Sequence, residues 1–90
     1  MLPIQCKMAR TALGLGVRET AQLAEVSPNT IARFERGEEM RSSTLAAIRV
    51  ALEAAGVEFI AENGGGAGVR LRKPAQPAIP LENLNASNDE

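Results

Sequence analysis

The chain has no histidine and a single cysteine, Cys6. One thiol cannot make an internal disulfide, and a lone cysteine without histidine gives no support to a zinc site. No base stands beside Cys6 in the sequence, and the acidic residues form no metal-like cluster. An enzyme is therefore the least favoured class, and neither a cofactor nor a metal is expected. No apolar run approaches the length of a membrane span. The start is not the basic and long apolar leader of a secreted protein. A cytoplasmic protein with no membrane partner is the expectation.

Strong charge of one sign is also missing. The net charge is −1 over 90 residues. Its distribution says more. Residues 1–49 carry seven basic and five acidic side chains, and residues 50–90 carry three and six. The first part is mildly positive and the end is negative. For a small nucleic-acid binder a local basic face matters more than the total. Ninety residues allow one small domain and a tail. So modest a core leaves room for stability gained from a partner.

What is present is helical periodicity. Residues 3–13 form a first helix, with Pro3 at an early position where its missing N–H costs nothing. Ile4, Met8 and Ala12, with Ala9 and Leu13 beside them, recur near the helical period. Gly14 can end the helix in a left-handed conformation. A second segment, VRETAQLAE, starts near Val17. Ala21 and Ala24 in it are small enough for close helix packing, and Val26 should return to the core. Ser27 is a fitting N-cap for a third helix opened by Pro28. Ile31 and Phe34 point inward, which leaves Asn29, Thr30, Arg33 and Arg36 outward, and Gly37 supplies the stop. After a polar link, EEMR, Ser42 or Ser43 can cap a fourth helix, TLAAIRVALEAA. Leu45, Ile48 and Leu52 form its buried stripe, and Gly56 ends it. Ile31, Phe34, Ile48 and Leu52 should share one core.

After Gly56 the period changes to two. VEFIAENGGGAGVRLRK reads as two short strands about a glycine-rich turn. Val57 and Phe59 share a face, Val69 and Leu71 share a face, and Glu58 can meet an arginine across the pair. The glycines at 64, 65, 66 and 68 lack the lysine–serine or lysine–threonine ending and following helix of a phosphate loop, so a hairpin loop fits better. Residues 74–90, PAQPAIPLENLNASNDE, read as a disordered or loosely attached tail.

The stretch LGLGVRETAQLAEVSPNTIARFERG resembles the helix-turn-helix of the Cro/C1-type, or XRE-type, family of transcription regulators. The resemblance runs without a gap from about residue 4 to residue 56, through TLAAIRVALEAAG. It implies a mainly α fold, a lambda-repressor-like helix-turn-helix bundle of about four helices, here followed by a short two-stranded β-hairpin. By the same resemblance residues 1–56 are the DNA-binding domain. The hairpin beyond it, residues 57–73, is a candidate dimerisation element carrying Val57, Phe59, Val69 and Leu71, because two strands alone are marginal and must pack against a second subunit or cover their own domain.

The resemblance also implies roles. Ser27, Pro28, Asn29, Thr30 and Arg33 stand at the family's base-reading positions. Their chemistry suits the task, since arginine can grip guanine and asparagine can read adenine in the major groove. Arg18, Arg36, Arg41, Ser42 and Ser43 fit phosphate contact. Arg10 and Glu35 match a structural ion pair between the first and third helices. There are departures. Val17 stands where the family often has glutamine, Thr20 where leucine is usual, and Glu25 where a turn glycine is usual.

The leading expectation is thus a sequence-specific regulator that reads double-stranded DNA with the helix at residues 27–36, as a homodimer on a palindromic operator. One alternative is an antitoxin of the same type, whose tail would bind a toxin protein. Another is an adaptor that keeps the fold without binding DNA, for which the net charge and Val17 speak.

Overall fold

A computed structural model describes residues 1–72. Lys73 and the expected tail at 74–90 lie outside the described residues. Four helices come first: α1 (Pro3–Ala12), α2 (Val17–Ala24), α3 (Pro28–Glu35) and α4 (Ser42–Ala54). Strands β1 (Val57–Ile60) and β2 (Gly68–Leu71) follow as one antiparallel hairpin.

Local chemistry sets most boundaries. Ser27 takes an extended backbone and its hydroxyl accepts from the Thr30 amide, so α3 starts at Pro28. Gly37, at φ 97°, turns the chain out of α3 through a region where a side chain would be strained. Gly14 and Gly56 also have positive φ, as their places after α1 and α4 suggested. Glu25 is the one non-glycine residue with positive φ among those described, at 59°. It occupies the left-handed turn between α2 and α3 where glycine would fit with less strain.

The start of α4 differs from expectation. Neither Ser42 nor Ser43 caps it. Arg41 is the extended N-cap residue, Ser42 is already helical, and no side chain caps the first turn. A serine inside the helix no longer has the extended backbone that aims its hydroxyl back at the free amides.

One core joins every element. Ile31, Phe34, Ile48 and Leu52 lie in it together, with Cys6, Ala9, Ala21, Ala24 and Val57. Val26 packs against its edge. So does Met40, from the link that reads as purely polar in sequence. Thr20, at a position suited to an apolar residue, is fully buried. Its hydroxyl donates to the Gly16 carbonyl at 2.9 Å, which removes most of the cost of burying it.

In α1 the apolar spacing is met in part: Ala9 is buried and Leu13 packs on the core, but the line through Ile4, Met8 and Ala12 does not lead the inward face. Ile4 is 56% exposed and Ala12 is exposed, while Gln5, Cys6 and Ala9 are buried. Polar anchoring turns the helix. Gln5 Nε2 donates to the carbonyls of Ile60 and Gly68, both at 3.0 Å, and Gln5 Oε1 accepts from the Leu2 amide at 2.8 Å. This one side chain ties the first turn of α1 to both strands beside their connecting loop. Ile4 and Met8 are left lining a shallow surface groove with Lys7, Thr11 and Ala12.

The hairpin register pairs Val57 with Leu71, Glu58 with Arg70, and Phe59 with Val69. Glu58 and Arg70 form the expected cross-strand ion pair at 2.8 Å. The Arg72 amide donates to the Gly56 carbonyl at 2.8 Å and closes the open end.

Candidate nucleic-acid interface

The third helix is held from behind before it shows anything in front. Ile31 and Phe34 sink into the core on one side. At its far end Arg10 takes Glu35 in a two-pronged grip, Nε to Oε2 at 2.7 Å and Nη2 to Oε1 at 2.9 Å. Their side chains are only 16% and 10% exposed. The planar guanidinium fork fits a carboxylate in one orientation, so the pair fixes direction as well as distance. The Cys6 thiol adds a third donor to Glu35 at 3.4 Å. Burial, followed by the neighbouring Glu35, pushes the Cys6 thiol up from an ordinary 9.0 to about 12. It is a neutral hydrogen-bond donor here, not a nucleophile.

On the outer side Ser27, Pro28, Asn29 and Arg33 are exposed, and Thr30 is half-buried. Ser27 and Thr30 are not free groups. Their hydroxyls lie 2.9 Å apart, and Ser27 also caps the helix. Asn29 makes no side-chain hydrogen bond among the described residues. Arg18 and Pro28 come together across the α2–α3 junction, in a shallow groove also lined by Ala21, Gln22 and Val26. Gln22 is a polar group in that groove which the sequence comparison did not mark. Nothing local in the sequence distinguishes it from an ordinary solvated glutamine.

Arg33 and Arg36 share a partner that was likewise not foreseen. Glu38, just past the helix, receives Arg33 Nε on one carboxylate oxygen at 2.8 Å and Arg36 Nη2 on the other at 3.1 Å. The two guanidiniums, Arg33 before Arg36, hold its carboxyl below the ordinary range. Glu38 therefore stays charged at neutral pH. The terminal Nη groups of Arg33 have no hydrogen bond among the described residues. These are the groups that could form a bidentate contact with guanine.

Arg41, Ser42 and Ser43 are all exposed at the start of α4. No side-chain bond among the described residues joins them to α3. Because α4 lacks a side-chain cap, the amides of its first turn remain open to an outside acceptor.

The hairpin residues suggested for dimerisation divide. Val57 is fully buried in its own core, so its side chain cannot reach a second subunit. Phe59 and Val69 are partly buried and pack against the same core. Arg49 further covers Phe59, with its guanidinium 5.3 Å from the ring centre. Leu71 alone stands out, at 58% exposed.

Among the described residues no helix is long and apolar enough to cross a membrane. No family model matches the chain, and no curated protein matches it.

Proposed function

We propose that the protein is a sequence-specific DNA-binding regulator of the Cro/C1 type that sets α3 into the major groove. The observation that carries this reading is a helix anchored on two sides with a polar outer face. Ile31, Phe34 and Glu35 hold α3, while Pro28 and Asn29 at its start and Arg33 in its last turn face outward. A base-reading helix needs both properties, because discrimination between bases depends on donor positions that do not wander. Asn29 suits adenine, Arg33 suits guanine, and Pro28 offers an apolar surface to a thymine methyl. Arg18, Arg36 and Arg41 suit phosphates, with the uncapped amides at Ser42 and Ser43 beside Arg41.

One helix this short reads few base pairs, so the regulator acts as a homodimer on a two-fold site. Half-sites then lie about one DNA turn, roughly 34–36 Å, apart. Leu71 is the large apolar side chain of the hairpin available for that contact.

The test is binding to duplex DNA flanking the protein's own gene, against a scrambled duplex, at several salt concentrations. Arg33→Ala should cost about 1–3 kcal/mol of discrimination. Equal loss on both duplexes would reassign Arg33 to a phosphate. Absence of binding by the unaltered chain would count against the reading. It would favour the adaptor alternative, which draws support from Glu38 offsetting the charge of two arginines.

A further inference from the structure

The carboxylate of Glu38 lies between two arginines that the DNA reading needs. Arg33, Arg36 and Glu38 have side-chain exposures of 47%, 61% and 44%, so all three are reachable from solvent. We infer that Glu38 is a positioning residue that holds Arg33 and Arg36 in a clamp which opposes their contact with duplex DNA. This rests on the DNA reading and adds a restraint to it.

The clamp opposes docking in two ways. Arg33 has its Nη groups free for a base, but only from the position in which Glu38 holds its Nε, and Arg36 gives up its Nη2 bond to Glu38 if it turns that group to a phosphate. The Glu38 charge also lies beside the phosphate backbone and is repelled by it. The clamp also alters the salt dependence. Each phosphate neutralised by a free arginine releases condensed cations from DNA, about 0.9 per contact. The Glu38 charge beside the two arginines offsets part of their charge toward DNA, so the net release is smaller. Glu38 thus lowers affinity and flattens its fall with salt.

The neighbouring Glu39 provides the control. It is exposed, carries the same charge, and makes no ion pair among the described residues. Glu38→Gln and Glu39→Gln change net charge equally, but only the first opens the clamp. Fluorescence anisotropy across a salt series should show Glu38→Gln binding duplex DNA about two- to five-fold tighter than the unaltered chain. Its logarithmic salt plot should be steeper, by less than the roughly 0.9 that one phosphate contact contributes. Glu39→Gln should change both much less. Equal effects of the two variants would overturn the clamp and leave only net charge. A second measurement needs no DNA. The Nε–H signal of Arg33 in the free protein should exchange faster with water in Glu38→Gln than in Glu39→Gln. An unchanged signal would also overturn the clamp. If that signal responds but no version binds any duplex at low salt, the DNA reading falls, and the role given to the clamp falls with it.

Discussion

Arg10 and Glu35, 25 positions apart in sequence, meet through two parallel hydrogen bonds and lock α1 to the end of α3. The pair is mostly shielded from water, so removing one member strands the other. Arg10→Met or Glu35→Gln should lower stability by about 3 kcal/mol, near the low end for a buried pair because some exposure remains. Urea denaturation measures this. Replacing both residues by apolar ones of similar size should recover much of the loss. If DNA discrimination stays poor in that stable double variant, the pair's contribution is the direction of α3 rather than stability alone.

Gln5 is the second long-range tie. Gln5→Ala leaves two strand carbonyls without their donor, at a cost of about 1–3 kcal/mol. The loss should be local. Amide hydrogen exchange should quicken in β1 and β2 and at the start of α1, while α2 and α3 remain protected. Uniform quickening would mean that the hairpin and helices open only as one unit.

Cys6 gives the protein an alkaline limit. Its thiol is raised to about 12 in the fold, so the folded state binds this proton more tightly than the unfolded chain does. The stability this contributes is complete below about pH 9 and is lost as pH rises from there toward 12. The sequence has no tyrosine and few lysines, so little else titrates in that window. Denaturant midpoints at rising pH should fall for the natural chain and fall less for Cys6→Ala. At neutral pH a thiol reagent should modify Cys6 only after denaturant is added.

Leu71 and Val57 are cross-strand partners with opposite exposure, and they separate assembly from folding. Leu71→Glu should shift sedimentation toward the monomer while circular dichroism stays unchanged. Val57→Ala should lower the denaturation midpoint instead. A dimer that survives Leu71→Glu would place the interface elsewhere, and the groove along Ile4 and Met8 would be the next surface to alter.

Much of the fold was legible because its causes are local. Ser27 caps the third amide after it, Gly37 stops the same helix, and Ile31 and Phe34 are spaced for one face. Glu58 and Arg70 follow from strand alternation once the turn is known. The inward face of α1 was legible only in part, at Ala9 and Leu13. Size and hydrophobicity point to Ile4 and Met8, but the helix is rotated by hydrogen bonds from Gln5 and Arg10 to residues far along the chain. At the candidate interface the outward positions of Pro28, Asn29 and Arg33 follow from helical period. The Glu38 contact does not, because a residue past the helix end can turn its carboxylate in many directions. Only the path of the chain after Gly37 brings it between the two arginines.

The span closed by Gln5 also bears on the order of assembly. Its two strand contacts join residues 55 and 63 positions apart, whereas neighbouring helices meet through short connections. Closing a long loop costs more chain entropy than closing a short one, and native contacts of large separation slow folding. The helices can therefore gather before the hairpin is fastened to α1. A weakened latch at Gln5 would then leave the refolding rate nearly unchanged and raise the unfolding rate. The lifetime of the folded chain, rather than the speed of its formation, is what this side chain governs.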